Sequence, residues 1–142
     1  MRKTKTLFYI DDDHDDLEFF KEAADSIEIQ AILFERGDAF IRHFENAPPA
    51  SSIIFLDLNM PFKSGYEIIS ELKKSPRLSK IPLVVYSTTD EYNSVKQCRK
   101  LGADLYIKKV TSCKDLRKII EFTLNIDWEN FIRDESTFLY KN

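Results

Sequence analysis

Ile53-Ile54-Phe55-Leu56-Asp57-Leu58-Asn59-Met60-Pro61 is the stretch from which the fold is read. Four apolar residues in a row, two of them β-branched, suit a strand buried on both faces, as in a parallel sheet. Asp57 ends the run, so the strand delivers a carboxylate to the C-terminal rim of that sheet. Pro61 forbids a further ladder hydrogen bond, and Gly65 permits a loop before the next amphipathic stretch.

Four other apolar runs flank this one: Leu7–Ile10, Ile29–Phe34, Leu83–Tyr86 and Leu105–Ile107. Helical spacing fills the gaps between them. Leu17, Phe20, Ala24 and Ile27 form one apolar stripe, and Phe40, Ile41 and Phe44 form a second that stops before Pro48-Pro49. Ile68, Ile69 and Leu72 form a third, ending before Pro76. Val95, Cys98 and Leu101 form a thin fourth, closed by Gly102. Ser112 with Asp115 resembles a capping box opening a last helix, with Leu116, Ile119, Ile120 and Thr123 inward. Regular βα alternation with short loops predicts a flavodoxin-like doubly wound α/β fold: five parallel strands with helices on both faces. Right-handed crossovers favour the order 2-1-3-4-5. Strands one and three are then neighbours, and the crevice beyond their C-terminal ends is where ligands bind in such folds.

Composition narrows the function classes. The 142 residues suit one domain with a proper core, and 43% hydrophobic with 32% charged residues is ordinary for a globular protein. A formal net charge of −3 argues against nucleic acid as the main partner, which requires a basic patch. Cys98 and Cys113 lack CxxC spacing and are expected to be reduced thiols. The basic start, Met1 to Lys5, precedes an apolar run too short for a signal peptide, and no run approaches membrane-spanning length. The expected location is the cytoplasm, away from membranes.

The predicted topology gathers polar groups at one rim. Strand one runs into Asp11-Asp12-Asp13-His14-Asp15-Asp16, and strand three ends at Asp57. Two unit charges ~4 Å apart repel by roughly 4 kcal/mol at an effective dielectric near 20, so such a cluster calls for a cation. A few hard oxygen ligands suit Mg²⁺ better than zinc. Acids before a helix also cap it and complement its dipole, and Asp13, Asp15 and Asp16 are assigned mainly to that role. Asp11 and Asp12, directly after the strand, are the metal candidates. Strand four ends in Ser87-Thr88-Thr89 and strand five in Lys108-Lys109. Singly, Ser87 reads as a turn residue and Lys109 as a solvated lysine. Together these groups fit phosphoryl transfer to a carboxylate, with Asp57 as nucleophile, Mg²⁺ neutralising charge, and Lys109 and Ser87 holding oxygens.

Over Lys5 to Asn125 the chain resembles the receiver domain of two-component response regulators, including stand-alone, chemotaxis-regulator-like ones. Tyr9-Ile10-Asp11-Asp12, Phe55 to Glu67, Ile81 to Ser87 and Gly102 to Lys109 carry the likeness. The resemblance implies that Asp57 is a phosphoacceptor served by a histidine kinase or histidine phosphotransfer protein. It implies that Asp12 ligates Mg²⁺ directly, Asp11 through water, and Asn59 through its backbone carbonyl. Ser87 would bond the phosphoryl group, Lys109 would pair with it, and Ser87 and Tyr106 would move together as a switch. Asn59 and Thr89 fall where the family tunes phosphate hydrolysis. Output would pass by protein contact through helix four, strand five and helix five, with a phosphorylation-dependent homodimer as a further expectation.

Three departures stand out. Val110 follows the lysine where the family usually has a proline in a cis bond, and cis before a non-proline costs ~2.5–4 kcal/mol. Either the bond is trans and the lysine is displaced, or strain is retained; Lys108 is then a rival, although counting on from Tyr106 favours Lys109. Ser87 replaces the commoner threonine. The chain also runs past a receiver domain of residues 1–126 into an extension, 127–142, too short for a DNA-binding output domain. There Trp128, Phe131 and Ile132 predict a short helix packing back on the domain. Two rival functions use the same residues. One is a receiver-fold binding module independent of phosphate, encouraged by Val110. The other is a Mg²⁺-dependent phosphohydrolase, disfavoured because Asn59 stands where such enzymes carry a second acid.

Overall fold

Each apolar run becomes a strand because parallel pairing buries both of its faces. A computed structural model describes residues 5–44 and 51–141. β1 (Thr6–Ile10), β2 (Gln30–Phe34), β3 (Ser52–Leu56), β4 (Leu83–Ser87) and β5 (Leu105–Lys108) form one parallel sheet in the order β2-β1-β3-β4-β5. Side chains alternate between two cores. Phe8, Ile10, Ile54, Leu56, Val85 and Tyr106 face one side; Leu7, Tyr9, Phe55, Val84, Tyr86 and Ile107 face the other.

Helices α1 (His14–Ser26) and α5 (Cys113–Asn125) cover the second face, and α2 (Gly37–Phe44), α3 (Gly65–Lys74) and α4 (Tyr92–Leu101) the first. The doubly wound arrangement predicted from the alternating runs is therefore present. Asp13 caps α1 by accepting from the Asp15 and Asp16 amides, and Ser64 and Ser112 cap α3 and α5. Gly102 ends α4 with a left-handed φ of 109°, a conformation glycine adopts without a Cβ penalty. Gly37 is the first residue of α2. Pro48-Pro49 lies outside the described residues. Both thiols are free, and burial pushes that of Cys98 up to about 12.

The extension departs from expectation. Trp128, Phe131 and Ile132 form no helix: residues 126–133 are turn and coil. Trp128 Nε1 instead donates to the Thr123 carbonyl at 3.0 Å, reaching back to α5. The short helix is α6 (Glu135–Phe138), opened by a capping box between Asp134 and Thr137. Beyond it Leu139 pairs in parallel with Tyr106, so the segment packs on the edge of β5.

Candidate phosphoacceptor site

Register places the first two acids together. Ile10 pairs with Leu56, and the Asp57 amide donates to the Ile10 carbonyl at 3.0 Å. Asp11 and Asp57, each one residue past the paired strand ends, therefore emerge side by side. Carboxylate oxygens of Asp11, Asp12 and Asp57 all lie within 4.8 Å of one another. Asp11 is 0% exposed and Asp57 4% exposed, whereas Asp12 faces solvent at the mouth. Gly65 sits directly behind: a Cβ there would stand 2.6 Å from the Asp57 carbonyl oxygen and from Leu58 Cα. The Gly65 amide donates to the Leu58 carbonyl at 2.9 Å, closing the loop that carries Asn59 and Pro61.

Among the described residues one cation enters this cluster. Lys109 Nζ lies 2.7 Å from Asp11, 2.8 Å from Asp16 and 3.3 Å from Asp57. Its rival Lys108 points elsewhere, 3.8 Å from Asp90. No cis peptide bond occurs among the described residues, so Lys109–Val110 is trans and the lysine still reaches the acids. Burial opposes the Lys109 charge, but hydrogen bonds to Asp11 and Asp16 and the charge of Asp57 raise its pKa above the ordinary lysine value. Burial and the Asp11 charge push Asp57 up to about 6, against the pull of Lys109. Negative charge is thus left uncompensated at Asp57. The three carboxylates of Asp11, Asp12 and Asp57 offer hard oxygens, a donor set that fits a divalent cation such as Mg²⁺.

Two participants escaped the sequence reading. The Tyr9 hydroxyl donates to Asp11 Oδ2, and burial together with Asp11 raises the Tyr9 pKa. Period-two alternation puts residues 9 and 11 on one side and was the available signal. Asp16, read as a helix-dipole acid, turns its carboxylate to Lys109. Asp13 is the cap expected of it, and its own amide donates to Asp11 Oδ1 at 3.0 Å.

Ser87 and Tyr106 meet on the other side of the rim. Both are fully buried. The Tyr106 hydroxyl donates to the Thr89 carbonyl at 2.7 Å, and the Thr89 amide donates to Ser87 Oγ at 3.4 Å. The structure thus gathers Asp11, Asp12, Asp57 and Lys109 into one cluster, with Ser87 and Tyr106 joined through Thr89. Asn59 is exposed in the loop after β3.

A doubly wound sheet with an acid cluster and a half-buried lysine at the β1/β3 rim defines the class. Residues 7–121 match the family model described as the response regulator receiver domain, and the chain belongs to that family. Response regulator Rcp1 of Synechocystis sp. is 34% identical over 97 residues, covering 68% of this chain and 62% of that protein. Chemotaxis protein CheV1 of Helicobacter pylori is 31% identical over 129 residues, covering 89% of this chain and 40% of its own length. The chain therefore spans less than two thirds of either relative. Among solved structures, the Mn²⁺-bound form of Rcp1 has a TM-score of 0.71 at 28% identity, covering 92% of this chain and 99% of that one. Receiver domains are generally phosphoacceptor switches that bind a divalent metal at an acidic pocket. Among the described residues no helix is long and apolar enough to cross a membrane.

Proposed function

We propose that this protein is a phosphorylation switch in two-component signalling, with Asp57 accepting a phosphoryl group from a histidine kinase or histidine phosphotransfer protein. The convergence of Asp11, Asp12 and Asp57 around Lys109 is the observation that carries this reading. In the reaction an Asp57 oxygen bonds to phosphorus as the phosphorus–nitrogen bond of the donor phosphohistidine breaks, and the imidazole leaves with the bonding pair. Lys109 stays within reach of the incoming phosphoryl oxygens, and Ser87 donates its hydroxyl to one of them. Asp11, Asp12, Asp57 and the backbone carbonyl of Asn59 would hold Mg²⁺, which supplies neutralisation of the charge gathered at the phosphoryl group.

The protein acts as a switch rather than a turnover enzyme, because the Asn59 amide is not an acid or base and cannot shuttle a proton to a leaving group. Its signal passes by contact with a downstream effector over the α4–β5–α5 face, in the cytoplasm, and a phosphorylation-dependent homodimer is part of this reading. Neither nucleic acid nor a membrane is a partner.

Incubation with acetyl phosphate and Mg²⁺, read by intact mass, tests the reading. The expected result is the gain of one phosphoryl group that is absent without Mg²⁺ and absent in Asp57→Asn. An unmodified wild-type protein, or equal modification of the variant, overturns it.

A further inference from the structure

Among the described residues the outer edge of β5 borders no further strand of the sheet, and bare edges invite pairing with an extended segment. Here the chain's own C-terminal segment lies along it. The Tyr140 amide donates to the Tyr106 carbonyl at 2.8 Å, and Leu139 is the parallel partner of Tyr106. Phe138 is 4% exposed, its ring 6.2 Å from that of Tyr106, and the Tyr140 ring packs 4.8 Å from Phe122 on α5. Upstream, Arg133 bonds the buried Asp104, and the Asp134–Thr137 capping box fixes the turn into the segment.

Tyr106 therefore carries two attachments. Its hydroxyl is held at Thr89, on the loop that also bonds Ser87 at the phosphoacceptor rim. Its backbone and ring hold the C-terminal segment. Phe138 packs against the inward ring, so a ring swung outward at this edge would have to displace it.

We propose that the β5 edge is a strand-addition site occupied by this chain's own Phe138–Tyr140, and that its occupancy is coupled to Asp57 through Tyr106. The coupling rests on the phosphoacceptor reading above. A phosphoryl group that draws Ser87 toward Asp57 leaves more room for the inward ring, and an inward ring is the platform on which Phe138 sits. Linkage makes the effect mutual: phosphorylation tightens the docked segment, and the docked segment favours phosphorylation. The effector then meets α4, α5 and this segment together rather than a bare strand.

Hydrogen exchange at the Tyr140 amide, followed by NMR in the wild-type protein, reads the docking directly. Beryllofluoride with Mg²⁺ stands in for the phosphoryl group, and its own fluorine signal reports binding. The expected result is an approximately fivefold rise in Tyr140 protection on beryllofluoride binding. In Phe138→Ala the same coupling weakens beryllofluoride affinity by about fivefold, circular dichroism confirming the fold. Beryllofluoride binding with Tyr140 protection unchanged or lowered overturns the coupling and leaves the phosphoacceptor reading intact. Absence of binding to wild type overturns that reading and the coupling with it. Protection that rises with protein concentration assigns the edge to a second copy's segment and overturns the intramolecular assignment.

Discussion

At Asp57, burial and a neighbouring acid outweigh one lysine, and that imbalance has a measurable sign. The pKa of about 6 lies above the ordinary carboxylate value of 3.8, so the metal-free folded state binds the proton more tightly than the unfolded chain. Stability linked to this group is present below the unfolded value and is lost as pH rises from about 4 through about 6. Asp57→Asn removes the charge and is expected to stabilise the metal-free protein at pH 7 by about 2 kcal/mol, an advantage that shrinks toward pH 4. Urea denaturation in a chelator at both pH values measures it; a variant less stable at pH 7 contradicts the electrostatic account. Asp11, Asp12, Asp57 and Lys109 were legible in sequence because each lies within two residues of the end of an apolar run. Tyr9 and Asp16 were not, because their ordinary roles, core aromatic and helix-dipole acid, explain them adequately until coordinates show where the hydroxyl and carboxylate point.

At the scale of elements, the joint between β3 and α3 is the tightest in the site. A methyl group at position 65 would meet two backbone atoms of the strand end, and backbone cannot rotate away as a side chain can. Gly65→Ala is expected to cost about 1–3 kcal/mol, as overpacking usually does, and to slow phosphorylation by moving Asp57. Thermal unfolding and the rate with acetyl phosphate measure the two effects; a variant normal in both shows that the loop yields freely. Strands and the main helices were readable because four to thirteen residues each follow one pattern. The extension was not. Three apolar residues at i, i+3 and i+4 fit a helix, but Trp128 turns to the Thr123 carbonyl, and the helical turn forms at the Asp134 capping box.

For the molecule as a whole, the C-terminal segment belongs to the folded core. Phe138 joins the same cluster as Ile54, Val85, Cys98 and Tyr106. Phe138→Ala is expected to lower unfolding free energy by about 2 kcal/mol, the usual worth of burying such a side chain. Chemical denaturation measures it, and a loss within about 0.5 kcal/mol, typical of a surface change, contradicts integral packing. The topology itself was legible from the order of runs and the handedness of crossovers. Contact between residues 138–140 and 106 was not, because nothing local in the sequence encodes a pairing across that separation.

Sealing one border of the sheet leaves β2 as the other. Gln30–Phe34 presents its free side to solvent among the described residues, and Glu35 and Arg36 follow at once. Among the described residues Gln30–Phe34 is therefore the open strand for edge-to-edge association, and that flank is where a charge or proline would guard a concentrated solution against it.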